Sequence, residues 1–152
     1  MQAYPEGLDC VWLAIDRNQN VGAFITAGMA PIPKAALGEI GLLLPDVEEA
    51  LHGLPAVTSA EVLVLVKRPE SFIALAERGV YVFDWCDIEQ VAAKQTGQYE
   101  PVAVPTNPIR ADSLSETLLQ IAKQVQLNGV QFADRVGIRI WDHIVSVEPP
   151  TA

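Results

Sequence analysis

Two cysteines, Cys10 and Cys86, and two histidines, His52 and His143, are the side chains of this sequence best suited to nucleophilic or metal chemistry. A thiol enzyme needs a cysteine activated by an imidazole that a third group orients, and Cys86, His143 and Asp142 are the obvious trio. Cys86 sits in Asp84-Trp85-Cys86-Asp87, however, where two neighbouring carboxylates raise a thiol pKa and disfavour the thiolate. A small core residue at a strand end is the simpler reading, and no catalytic residue is expected. Zinc would need all four of these side chains, yet no two of them have the short spacing that zinc motifs share, so no metal and no cofactor are expected. A carboxylate pair for acid-base or glycosidic work would come from Asp16, Asp84, Asp87, Asp134 and Asp142. Among 19 acidic residues some pair falls close by chance, and turns and helix caps account for them.

Two further patterns point to binding. Ala27-Gly28-Met29-Ala30-Pro31-Ile32-Pro33 reads as a loop that could clamp a ligand, without the Lys and Ser/Thr of a phosphate loop. A small enzyme or ligand-binding domain with a pocket near Thr26 to Pro33 is therefore the alternative reading of function. Trp85, Tyr99 and Trp141 stand beside carboxylates, and aromatic residues flanked by acids suit an interface with a basic protein. The contact surface is expected to come from Asp84, Trp85, Asp87, Glu89, Tyr99 and Asp142, with Trp85 as anchor; a core role for the aromatics is the competing reading.

Ten Lys and Arg stand against 19 Asp and Glu among 152 residues, giving a net charge of -9, the wrong sign for a phosphate-binding surface. Nucleic acid is not expected as a partner. Half the residues are hydrophobic, which suffices for one full core over residues 1–152. The longest apolar runs fall far short of the roughly 20 residues that span a bilayer, and the N-terminus lacks a secretory pattern. A reduced cytoplasmic protein without membrane contact is the expectation, and self-association into a homodimer stays open.

Cys10 to Ile15 and Val21 to Thr26 are β-prone runs around Asp16-Arg17-Asn18-Gln19-Asn20, which predicts an antiparallel hairpin. Trp12 shares a face with Cys10 and Ala14 while Val11, Leu13 and Ile15 line the other, so the hairpin should be buried on both sides. Short helices are expected at Lys34 to Glu39 and at 45–52, the latter opened by Pro45 and closed by Gly53. Glu61 to Val66 and Val80 to Trp85 read as strands flanking a helix between Pro69 and Gly79, forming a crossover or pairing separately in a mixed sheet. Tyr99 to Val104 is a strand. Ser113-Leu114-Ser115-Glu116 has capping-box spacing ahead of a helix at about 113–126, and residues from Val130 to Val147 should supply one or two closing strands. The sum is a single α+β domain: a mixed, mostly antiparallel sheet, an N-terminal hairpin and three or four helices. A doubly wound α/β fold is weakened by that hairpin.

Asp9-Cys10-Val11-Trp12-Leu13-Ala14-Ile15-Asp16, Val21-Gly22-Ala23-Phe24-Ile25-Thr26-Ala27-Gly28 and Pro31-Ile32-Pro33 resemble the start of small proteobacterial proteins encoded beside polymorphic or type VI secretion toxins. Gly79 to Trp85, Tyr99-Glu100-Pro101-Val102 and Pro105-Thr106-Asn107-Pro108-Ile109 are similar to their later segments. The resemblance covers most of the chain as hydrophobic and aromatic patterning. It implies an immunity protein that binds and blocks a cognate toxin in the cytoplasm, and carries over no set of functional residues.

Overall fold

A computed structural model describes residues 1–38, 41–64, 69–85 and 97–149. Its strands are β1 (Val11–Asp16), β2 (Val21–Ile25), β3 (Ile32–Pro33), β4 (Ala60–Val62), β5 (Tyr81–Asp84), β6 (Glu100–Pro105), β7 (Gln126–Leu127) and β8 (Val147–Glu148). The α-helices among these residues are α1 (Val47–His52), α2 (Glu70–Ala76) and α3 (Glu116–Lys123). Six strands form one mixed sheet in the order β4-β6-β5-β2-β1-β7, and β3 pairs with β8 in a separate two-stranded sheet. The domain is α+β, with the N-terminal hairpin in place.

That hairpin runs antiparallel from Val11 opposite Ile25 to Ile15 opposite Val21. Its loop closes on Asp16: Oδ1 accepts the backbone N–H groups of Asn18 and Asn20 at 2.8 and 2.9 Å, and Gln19 takes a left-handed φ of 64°. An aspartate at the head of an Asn-rich turn supplies this backbone with partners that no ladder provides. β2 pairs in parallel with β5 and β1 in parallel with β7, so strands flank the hairpin on both sides. Every residue of β1 and β2 is buried.

β6 is antiparallel to both β4 and β5, and therefore lies between two strands that run the same way. The unit β4-α2-β5 is thus a crossover with β6 inserted into it, and α2 packs over all three strands. Gly79, at φ 95°, turns the chain out of α2 where the sequence expects a stop; a Cβ there would stand 2.5 Å from Cγ2 of Ile109.

The two faces of the sheet carry different cores. Val11, Leu13, Ile15, Val21, Ala23, Val82 and Val102 face Val47 and Leu51 of α1, Leu75 of α2, and Leu118 and Ile121 of α3. The opposite face holds Trp12, Phe24, Tyr81, Phe83, Trp85 and Tyr99, and is covered by Ala30, Ile32, Leu37, Phe132, Ile138, Ile140 and Val147. Trp12 stands opposite Phe24 and Phe24 opposite Phe83 in the strand registers. Their rings accordingly stack in a row, with centroids 4.2 and 4.9 Å apart and planes within about 10°. Phe132 lies over Phe24 and Phe83 and against Gly22, where a Cβ would come within 2.8 Å of its ring.

Three local expectations change. The capping box does not form: Ser113 ends a 3-10 turn, Ala111–Ser113, and Leu114 is extended and buried. Ser115 then precedes α3 with no side-chain hydrogen bond to it. Burial of Leu114 against the aliphatic core separates the turn from the helix. The expected closing strands at Val130 to Ile140 are instead irregular chain with 3-10 turns at Phe132–Asp134 and Ile140–Asp142, leaving β8 as the closing strand. The helix expected at Lys34 to Glu39 is a 3-10 turn, Lys34–Leu37, because Gly38 is extended. Glu39, and the end of the strand expected at Glu61 to Val66, lie outside the described residues.

Candidate functional site

A cleft of about 360 Å³ opens between three chain segments: Tyr4 and Glu6 ahead of β1, Gly28 and Met29 in the turn after β2, and Glu148 and Pro149 at the end of β8. The first two walls are tied to each other. Tyr4 donates its hydroxyl to the Ala30 carbonyl at 2.7 Å, and Gly7 donates its N–H to the Gly28 carbonyl at 2.9 Å. Thr26 Oγ1 accepts the N–H groups of Cys10 and Gly28 at 3.0 and 3.3 Å, while Asp9 Oδ1 accepts that of Ala27 at 2.9 Å.

These bonds hold Ala27 and Gly28 in consecutive left-handed conformations, φ 55° and 78°. A non-glycine residue there stores strain of the kind that accompanies pre-shaped binding loops. A Cβ on Gly28 would stand 3.1 Å from the Gly7 backbone, so glycine also permits the two segments to meet. The third wall is fixed by the pairing of Ile32 with Glu148 and by the Lys34 N–H donating to the Ser146 carbonyl at 2.9 Å.

The cleft is acidic with apolar walls. Lys34 Nζ lies 3.4 Å from Glu148 Oε1, and among the described residues no basic side chain pairs with Glu6. Met29 is 47% exposed beside them. Burial, followed by the charge of Glu6, pushes the Tyr4 phenol above its ordinary range, so it stays a neutral donor near pH 7.

The residues expected to form a contact surface divide sharply. Asp84, Trp85 and Tyr99 are 4%, 7% and 0% exposed, and their side chains belong to the interior. Trp85 packs edge-on against Tyr99, whose hydroxyl accepts from Trp12 Nε1 at 3.0 Å and donates to the Pro31 carbonyl at 2.8 Å. Trp85 and Tyr99 belong to the aromatic core and Asp84 is buried at the end of β5, so all three offer a partner almost no area, and Trp85 cannot serve as an anchor without leaving its packing. Asp142 is exposed, 3.5 Å from Arg139, whose guanidinium lies over Trp141. Asp87 and Glu89 lie outside the described residues, as does Cys86.

The other candidates have structural placements. Cys10 is buried, and burial, then Asp9, then Glu48 raise its thiol pKa, the opposite of an activated nucleophile. His52 lies 3.5 Å from Glu48 on α1, and His143 is exposed after the 3-10 turn that carries Asp142. No group of three metal-ligating side chains occurs among the described residues. Asp16 is fully buried and spends both oxygens on backbone N–H groups, the third being Phe132 at 2.8 Å. No protein-family model, curated protein or solved structure matches the chain. Among the described residues no helix is long and apolar enough to cross a membrane.

Gly28 and Met29 fall inside the loop singled out from the sequence; Tyr4, Glu6, Glu148 and Pro149 do not. Tyr4-Pro5-Glu6-Gly7 carries a turn signal, but nothing local brings it to residues 148 and 149.

Proposed function

We propose that the protein is an immunity protein that binds and neutralises a cognate bacterial toxin in the cytoplasm and performs no catalysis of its own. The observation that carries this reading is the excess of nine acidic over basic charges. A strongly acidic surface accelerates encounter with a basic enzyme and suppresses wrong partners. The cleft of Tyr4, Glu6, Met29 and Glu148, with exposed Asp142 elsewhere on the surface, supplies acidic groups where a partner can reach them. The test is co-expression with each product encoded beside the gene that is toxic when expressed alone. Cells survive when the folded protein is present, the two proteins co-elute, and association slows as salt rises. Lack of binding to any neighbouring product sinks the proposal.

The cleft also favours a second reading, a small-ligand-binding domain with its pocket at the turn after β2. Its size lies near the lower end of the roughly 300–1,000 Å³ typical of small-molecule sites. A metabolic gene neighbourhood together with a ligand-induced rise in Tm, and no bound protein, would favour this reading over the first.

A further inference from the structure

The cleft combines features that select a particular kind of occupant. Its volume of about 360 Å³ suits one long side chain. Tyr4, Met29 and Pro149 supply an aromatic ring, a thioether and a pyrrolidine for an alkyl stem and a flat cation to lie against, as guanidinium groups do on aromatic faces. Of its two carboxylates, Glu148 shares its charge with Lys34, and Glu6 has no basic partner among the described residues. Two carboxylates and one ammonium leave one negative charge to be met. The turn that forms one wall is already held by Asp9 and Thr26, so an occupant pays little ordering cost on entry.

Resting on the reading of the protein as an immunity protein, we propose that this cleft receives a single arginine side chain of the toxin, its guanidinium against Glu6 and its stem along Tyr4 and Met29. Arginine fits better than lysine. Its planar cation is more weakly hydrated and stacks, whereas an ammonium would face Lys34 as a compact like charge with less to gain from the walls. The site is a docking contact and moves no bond.

The test uses the full chain, labelled with ¹⁵N, titrated with the capped tripeptide acetyl-Gly-Arg-Gly-amide and with its citrulline counterpart, which keeps the shape and removes the charge. Saturable shifts at the Gly7, Gly28 and Met29 amides are expected with a Kd of about 1 mM, and the citrulline peptide should bind about ten-fold more weakly. Glu6→Gln changes an exposed, isosteric side chain and should weaken the arginine peptide to the same degree with the fold intact. Equal binding of the two peptides, shifts confined to other parts of the molecule, or no saturation overturns the proposal. A free guanidinium compound such as agmatine binding ten-fold more tightly than the capped peptide would assign the cleft to a small ligand and overturn it as well. The immunity reading is tested separately by cell survival. Survival with no peptide binding removes the cleft and leaves that reading; peptide binding without survival removes the toxin as the source of the arginine.

Discussion

The sheet face under the helices and the face under the irregular segments solve one burial problem with different side chains. The helix-covered face is aliphatic, and the backbone of α1, α2 and α3 satisfies most of its own polar groups before it meets the sheet. The other face is aromatic, and its covering chain depends on bonds to distant residues. Arg17 donates its N–H to the Val130 carbonyl at 3.0 Å, Phe132 to Asp16, and Tyr99 and Ile138 exchange N–H···O bonds of 2.8 Å in both directions. Large rigid rings suit such a cover, since each buries much area from a chain without a repeating face. The candidate cleft lies at the margin of this second cover, built from its segments, consistent with irregular chain presenting recognition groups on a rigid sheet.

The largest effect that would separate the two faces is expected at Phe132. Phe132→Ala removes a ring that touches Phe24, Tyr81 and Phe83, and should cost about 3–5 kcal/mol, with Leu118→Ala on α3 costing about 2–5 kcal/mol. The distinguishing measurement is native-state hydrogen exchange. Phe132→Ala should raise exchange at the Phe132 and Ile138 amides beyond the global loss, because their cover opens locally, whereas Leu118→Ala should lower protection uniformly. Uniform loss in both would abolish the contrast.

Asp16 joins the hairpin to the aromatic cover, and Asp16→Ala leaves the buried Phe132 N–H without a partner as well as releasing the turn. A loss of about 3 kcal/mol is expected in chemical denaturation, and Asp16→Asn, which keeps one acceptor oxygen, should lose roughly half of that. Equal losses for the two variants would mean that charge, and not bond geometry, sets the contribution.

Tyr99 gives a smaller effect with a pH signature. Tyr99→Phe strips the Trp12 indole N–H and the Pro31 carbonyl of their partner and should cost about 1–2 kcal/mol at pH 7. Complete burial holds the Tyr99 phenol well above the usual tyrosine pKa of about 10. Above pH 10 the unfolded chain therefore releases a proton that the folded chain keeps, and stability falls by up to about 1.4 kcal/mol per pH unit. Burial also raises the phenols of Tyr4 and Tyr81 and the Cys10 thiol, so the wild-type decline begins with the thiol and steepens through this range. Tyr99→Phe should flatten the slope above pH 10, a change absent if the phenol ionises normally.

The same contrast governs how much the sequence discloses. Alternation in Cys10 to Ile15 separates Trp12 from Leu13 and places each in its own core, because strand period alone decides the face. Gly53 caps α1, and Gly79 turns the chain two residues beyond Glu77, the C-cap of α2. Residues 130–146 defeat periodicity, since their partners are set by tertiary contacts between residues as distant as 16 and 132. Trp85 and Tyr99 illustrate the cost for a site: an aromatic beside an acid reads alike whether it is an anchor or a core residue, and here the ring contacts make it core. The cleft draws on residues 4, 28 and 148, which no local pattern connects.

The smallest predicted effect tests the boundary of the helix-covered face. Ser113-Leu114-Ser115-Glu116 has the spacing of a reciprocal cap, which, if formed, would make Ser113→Ala cost about 1 kcal/mol. In the fold, Glu116 is the first residue of α3, Ser113 belongs to the preceding 3-10 turn, and neither Ser113 nor Ser115 caps the helix through its side chain. Leu114 decides this arrangement, since its buried side chain requires extended backbone where the capping box would place the first turn. Ser113→Ala and Ser115→Ala should each change stability by less than about 0.5 kcal/mol, the range of surface substitutions that touch no special feature. Leu114→Ala should exceed both, because it removes the contact that separates turn from helix. A loss near 1 kcal/mol for Ser113→Ala, absent from a Glu116→Ala background, would show that the cap forms and that the helix starts a turn earlier.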